Sequence, residues 1–373
     1  MVTQEYGVQM KPILALITAL LLLCGQAAEA AMIFTGDRID GVPVIERLDV
    51  ADAPIGQISR YWFRVSDQSI GQGWYVPVLV ARGSKPGKRL LLTAGVHGDE
   101  LNGIAVIHQL FASLDPKSLS GTVLAVPGLN TPGLLNTTRS YSGSALASQT
   151  NLNRLMPGNL ASDEVGSVYA ARLWNQVFAG NADQAIDLHA QSLGTAYPVY
   201  VFAQTAQARR IADMIAPDMI KMDAGAKGSI ENTLDDYGIP AVTLELGRPD
   251  QFDSQMIARG LRGVRNVMID MGIASGVPDL SGPTPFIGNR AVDVWAPRGG
   301  YATLAVRLGD PVTKGQVVAT LADPFGRVTA TVTAPTAGRV LSVSTSPTRE
   351  IGALLVRILS WSDDEPCKQT GCP

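Results

Sequence analysis

Apolar positions take three textures along the chain: an unbroken run over residues 13–24, then apolar runs alternating with helix-spaced ones to about Gly272, then short β-type stretches. In the middle region, residues 76–81 and 89–94 predict strands, the second a buried run that ends in a glycine-rich turn. Residues 102–114 carry apolar side chains at helical spacing. The alternation recurs. Strands are predicted over 122–126, 184–188 and 241–245, and helices over 164–178, 206–214 and 255–271. Such alternation predicts an α/β sandwich with a largely parallel or mixed central sheet. In folds of this class chemistry gathers at the carboxyl ends of the strands.

After Gly272 the segment SGVPDLSGPTP has the composition of a linker, and the residues beyond it form short strand-like runs broken by turns such as Leu308-Gly309-Asp310 and Lys314-Gly315-Gln316. The expected organisation is an α/β domain over 31–275, a linker over 276–287, an all-β domain over 288–362 and a tail over 363–373. Residues 1–30 read as a cleaved export signal. Lys11 precedes the apolar run, Ala28-Glu29-Ala30 follows it, and the run is shorter than the roughly twenty residues a spanning helix needs. Read from Met10 the signal is compact, and a retained anchor is the alternative that the short run disfavours. Bulky Leu23 before Cys24 argues against a lipid-anchored cysteine. The mature chain is then periplasmic or secreted, with no stable membrane insertion. Its remaining Cys367 and Cys372 form an even pair, either a small disulfide loop or two exposed thiols.

With 373 residues, 46% hydrophobic and 17% charged, the chain can bury a sizeable core, which excludes a disordered or collagen-like protein. Lys+Arg number 30 against Asp+Glu 33, a formal net charge of −3, so there is no basic surplus for a phosphate backbone and nucleic acid is not an expected partner. Only three histidines occur.

Two of them stand where chemistry is expected. LLLTAGVHGDELNG places His97 and Glu100 just after a buried strand, in a loop and at the first turn of the next helix, an i, i+3 pair able to point at one centre. AIDLHAQ ends a second strand with His189, and AVTLELG ends a third with Glu245. Two histidines and a carboxylate with one open position make a catalytic zinc site. Zinc there lowers the pKa of a water from near 15.7 to about 7 and polarises a carbonyl, while a nearby carboxylate carries the proton to the leaving nitrogen. His97, Glu100 and His189 are therefore the expected ligands of one Zn2+ per chain, with Glu245 as the proton carrier. Each histidine alone is more commonly a hydrogen-bonded core residue; it is their joint placement that favours metal. Asp187 is either an orienting partner of a ligand histidine or a structural residue at a strand end. His108, inside the helix over 102–114, is a packing or surface residue. In TNLNRLMPG, Arg154 beside Asn153 offers a clamp for a carboxylate or charge for an oxyanion. For Arg139, in LLNTTRSY, a substrate contact and a surface ion pair are both open readings. No GxSxG, HExxH or HxxEH motif is present.

Taken jointly, GVHGDE, NLNR, DLHA and TLELG resemble the succinylglutamate desuccinylase/aspartoacylase family of zinc carboxypeptidase-like hydrolases, over about residues 75–275. The resemblance implies the carboxypeptidase-like α/β/α fold and zinc-dependent hydrolysis of a linear amide. Asn153 and Arg154 would bind a carboxylate or the carbonyl, with Arg139 assisting. The expected activity is deacylation of an N-acyl amino acid or related small amide. A metallocarboxypeptidase acting on short or cell-wall peptides is the alternative, and a non-catalytic metal-binding scaffold is the third. A homodimer is a family-level expectation. Three departures stand out: Asn151 where members often carry Asp, the inserted SGSALASQ before the NLNR motif, and Asp235 where aspartoacylases place an arginine for a second carboxylate. The C-terminal segment LGDPVTKGQVVATLADPFGRVTATVTAPTAGRV resembles the biotinyl/lipoyl-like β-sandwich. Its hairpin tip, Asp323-Pro324-Phe325-Gly326, carries no lysine, so no covalent cofactor is expected there.

Overall fold

The computed structural model describes residues 1–3, 31–144, 148–192 and 194–364. The export signal, Cys24, Cys367 and Cys372 lie outside these, as does part of the inserted segment before the NLNR motif. The chain opens with strands β1 (Ile33–Ile39), β2 (Val42–Arg47) and β3 (Gln57–Asp67), followed by β4 (Gly73–Arg82) and β5 (Lys85–Ala94). Next come helix α1 (Asn102–Ser113), β6 (Ser120–Pro127), α2 (Thr131–Asn136), α3 (Val165–Leu173), β7 (Gln184–His189), β8 (Thr195–Ala196) and β9 (Val199–Ala203). The α/β part ends with α4 (Ala206–Ile215), β10 (Met219–Met222), α5 (Ile230–Asp236), β11 (Ala241–Leu246) and α6 (Ser254–Asp270).

Among the described residues the central sheet has eleven strands in the order β1-β2-β3-β4-β6-β5-β7-β11-β9-β10, closed by β12 (Phe286–Gly288). Strands β6, β5, β7 and β11 run parallel, whereas β9 is antiparallel to β11, so of the two arrangements the alternation allows the sheet is mixed. Its parallel centre is covered on both faces, which is why the second half of β5, from Leu90 to Ala94, is buried without a break. Leu90 and Leu92 face a core built with α1, α4 and α6, while Leu91 faces the opposite core, built with α3, α5 and the β2–β4 strands. The helices therefore form two layers on the sheet.

Two departures from the hydrophobic pattern have local causes. The helix predicted over 164–178 is α only to Leu173, and Trp174–Phe178 continue as a π turn closed by Ala179 N–H donating to Trp174 O at 2.9 Å. That wider turn lets Trp174, Val177 and Phe178 all enter the core. Strand β1 is mostly exposed, so no buried face is written into its sequence.

Beyond the central sheet lie β13 (Arg290–Trp295), β14 (Gly300–Leu304), β15 (Pro311–Val312), β16 (Val317–Ala322), β17 (Val328–Thr333), β18 (Gly338–Ser344), β19 (Thr348–Arg349) and β20 (Leu354–Ser360), with no helix among the described residues there. They form two sheets, β13-β20-β18-β15 and β17-β16-β14-β19, sharing a core that includes Val318, Leu321, Val340 and Ile358. Two connections cross between the parts of the chain. Residues 286–288, partly within the stretch read as linker, pair parallel with β10, and β8 pairs with β18.

Candidate active site

Register places the site. In β7, β11 and β9 the residues His189, Glu245 and Tyr200 are direct partners, and one pleat back Thr93, Asp187, Thr243, Phe202 and Lys221 form a second row across β5, β7, β11, β9 and β10. Residues two apart on a strand share a face. Both rows therefore lie on the face opposite Leu188 and Leu244, which pack in the α1/α4/α6 core. His189, Glu245, Tyr200, Thr243, Phe202 and Lys221 of these rows line a cavity of about 600 Å³ at the carboxyl ends of β5, β7 and β11.

His97 and Glu100 reach this cavity from the bends after β5. Both precede α1, which begins only at Asn102, rather than sitting in its first turn. The bend is held by close backbone approach. A Cβ on Gly98 would lie 2.0 Å from the Gly133 carbonyl carbon, and one on Gly103 2.6 Å from Leu188 Cβ, so only glycine fits at either position. Glu100 sits between the imidazoles: Oε1 is 2.8 Å from His97 Nδ1 and Oε2 is 2.7 Å from His189 Nδ1. The other ring nitrogens are braced, His189 Nε2 by Asp187 Oδ2 at 2.7 Å and His97 Nε2 by Asn151 Oδ1 at 3.1 Å. Asp187 is itself fixed by the Thr93 hydroxyl, which donates to Oδ1 at 2.6 Å.

All three expected ligands are at most 3% exposed, and their donor atoms lie within 4.8 Å of one another. Converging nitrogen and carboxylate donors with their outer nitrogens already occupied suit a divalent cation. A buried polar atom with no protein partner points the same way: Glu245 Oε2, beside His189, makes no hydrogen bond among the described residues. Burial opposes ionisation of Glu100, but the two imidazoles outweigh it and hold its carboxyl well below the usual range. Burial likewise opposes charge on His189, yet Asp187 and then Glu100 raise it well above the ordinary histidine value. Glu245 is pushed up to about 8 by burial, with Glu100 adding to the shift against the opposing pull of His189.

The remaining expected residues also converge. Arg139 Nη1 donates to Glu100 Oε1 at 3.0 Å and to Ser192 Oγ, so its ion pair is with a candidate ligand rather than with a surface acid. Asn153 has its Oδ1 occupied by the Ile230 amide at 2.8 Å and its Nδ2 3.4 Å from His189 Nε2. Arg154, exposed at the cavity rim, donates from Nη1 to Asn153 O at 2.6 Å. His108 is an exposed helix residue, away from the cavity. Asp235 accepts from the Ala241 amide at 3.1 Å, bracing the entry to β11 rather than facing substrate.

Sequence reasoning passed over Ser192, Tyr197, Tyr200, Glu231 and Arg357, all of which line the cavity. The run VYVFA, read as β9 in register with β11, would have found Tyr200. Arg357 lies in β20 and carries no local signal. A second cleft of about 740 Å³ opens at the amino ends of β5 and β6. Two of its cations are engaged structurally: Arg82 donates to the Ala51 and Ala53 carbonyls, and Arg89 pairs with Asp183.

Comparison with known proteins gives a consistent picture. Residues 86–270 match the succinylglutamate desuccinylase/aspartoacylase catalytic domain. The N-alpha-acetyl-L-2,4-diaminobutyric acid deacetylase of Halomonas elongata is 30% identical over 274 residues, covering 69% of this chain and 77% of that protein. Among solved structures, the product-bound ectoine utilization protein EutE (DoeB) of Ruegeria pomeroyi superposes with a TM-score of 0.73 at 21% identity, covering 83% of this chain and 98% of that one. A succinylglutamate desuccinylase/aspartoacylase from Rhodobacter sphaeroides gives 0.70 at 20% identity, covering 80% and 93%. At these identities the structural matches speak for the fold.

Proposed function

Since this chain belongs to the succinylglutamate desuccinylase/aspartoacylase family, we propose that it is a zinc-dependent hydrolase that removes the acyl group from an N-acyl amino acid. The observation that carries this reading is the buried convergence of His97, Glu100 and His189 beside Glu245, whose Oε2 has no partner among the described residues. A bound divalent ion supplies Lewis acidity for the acyl carbonyl and acidifies water. Glu245 accepts the proton from the attacking water at Oε2 and passes it to the leaving nitrogen. Arg154 at the rim takes the α-carboxylate, and Asn153 Nδ2 faces the substrate from the His189 side. Arg139 and Ser192 hold Glu100 in place.

The Halomonas elongata relative is named for a monoacyl substrate with a single carboxylate. Asp235, spent on the Ala241 amide, likewise offers no clamp for a second carboxylate. An N-acetyl amino acid is therefore the preferred substrate class. Turnover of zinc-loaded protein should be assayed on N-acetyl amino acids, on N-succinyl ones and on short peptides. Peptide cleavage without deacylation would overturn the assignment, and Glu245→Gln should remove turnover while keeping bound metal.

The C-terminal sheets are read as a biotinyl/lipoyl-like sandwich that closes one side of the site, with a homodimer as the assembly to be checked by solution mass. Export rests on Lys11, the apolar run and Ala28-Glu29-Ala30. Cell fractionation and a mature amino terminus at Ala31 would test it.

A further inference from the structure

One wall of the cavity is not accounted for by the metal ligands or Glu245. Tyr200 stands opposite Glu245 in the sheet, and its ring packs at 5.3 Å on Tyr197 and at 4.6 Å on Phe202. Its hydroxyl is buried with no hydrogen-bond partner among the described residues, on a side chain 1% exposed that lines the cavity. A buried phenol left so is costly, and such groups in native folds point to a missing acceptor.

Tyr197 gives a second, independent observation. Its hydroxyl oxygen accepts from Arg357 Nη1 at 2.6 Å. A guanidinium is donor only, so this bond occupies a lone pair and leaves the phenolic proton to be given elsewhere. Arg357 is locked for the purpose: Nε and Nη2 hold Asp293 at 2.5 and 2.9 Å, and the two residues are direct partners on β20 and β13. The backbone repeats the tie. β8, two residues before Tyr197 at its start, pairs with β18, and Arg349 donates to Gly194 O. Burial keeps both phenols protonated, pushing Tyr197 up to about 12 and Tyr200 well above its usual value.

We propose that Tyr197 and Tyr200 are paired hydroxyl donors to oxygen atoms of the N-acyl amino acid, and that Arg357 is a positioning residue that fixes the direction in which Tyr197 donates. The C-terminal strands thus set substrate geometry through one side chain. This rests on the deacylase reading, and the assays separate the two.

Tyr197→Phe, Tyr200→Phe, Arg357→Lys and the paired Arg357→Met/Asp293→Leu, which leaves no buried charge unpaired, would be made in the zinc-loaded full chain. Kinetics on an N-acetyl amino acid turned over by the wild type would be joined by calorimetric Kd in a Glu245→Gln background. Each Tyr→Phe change should lower kcat/KM by about 10- to 100-fold with bound zinc and Tm preserved. A loss confined to kcat marks the acyl oxygen as acceptor, and a loss in Kd marks the carboxylate. The paired change should match Tyr197→Phe and add no more than about twofold on top of it, and Arg357→Lys should recover part of the loss. If both Tyr→Phe variants stay within about twofold of wild type, the proposal is wrong while the deacylase reading stands. If the paired change costs its full factor in the Tyr197→Phe background, Arg357 does not act through Tyr197. If the wild type deacylates nothing, the function assignment falls and this proposal with it.

Discussion

Replacing Asp187 by Asn removes one charge from a site where that charge touches a candidate ligand. Its Oδ2 lies 2.7 Å from His189 Nε2, its Oδ1 accepts from Thr93 at 2.6 Å, and the side chain is 1% exposed. Asn has the same shape. Its carbonyl can accept from Nε2 while its amide donates to the Thr93 oxygen, so packing and bond number survive and only the negative charge goes. Removing such an orienting partner weakens metal binding by about 10- to 100-fold, or about 1.4–2.7 kcal/mol. Zinc Kd measured by competition with a chromophoric chelator reads this directly. The pH dependence has a definite sign. In the metal-free protein Asp187 is the main force opposing burial to keep His189 protonated well above its ordinary value. Metal needs His189 Nδ1 unprotonated while Nε2 keeps its proton for Asp187, so wild-type affinity falls as pH drops below the raised value. The variant holds the proton less tightly, so the gap between the two Kd values should narrow towards low pH. Equal Kd at every pH, with only Tm reduced, would make Asp187 a strand-end brace and refute the reasoning.

Gly98→Ala forces a Cβ to within 2.0 Å of backbone at Gly133. A loss of about 2–4 kcal/mol, read as Tm, should come with lower bound zinc because the His97 loop is displaced. Stripping the metal by chelation should remove about 4 kcal/mol if zinc is present at about a thousand times its Kd, lowering Tm on the order of 10 °C. In the metal-free state Glu245 is raised from 4.5 to about 8 by burial. A carboxyl raised on folding costs stability above its unfolded value, so Tm should fall as pH rises from 4.5 to about 8. Glu245→Gln should flatten that slope, and an identical pH profile in the two proteins would count against the shift.

The residues of the candidate site were legible because they sit at strand ends within apolar runs: His97 after β5, His189 closing β7 and Glu245 in β11. Asn153 and Arg154 could be named from their motif, yet their bonds could not, since Asn153 is anchored by the amide of Ile230, 77 positions away. Asp187 stood open between an orienting and a structural role, and the structure gives it contacts of both kinds, to His189 and to Thr93. Arg139 was open for the same reason, because a cation's partner depends on what the fold brings near.

What the order of residues determined alone was the alternation of buried strands and amphipathic helices, and the presence of imidazole and carboxylate at the ends of particular strands. Those are local properties, fixed by period and by side-chain chemistry within a few residues. Which strands are neighbours was decided only by tertiary packing. The antiparallel insertion of β9 sets Tyr200 opposite Glu245, and the docking of β20 brings Arg357 to Tyr197 across 160 positions. Pairing of this kind depends on burying whole faces together, and no segment carries that information by itself.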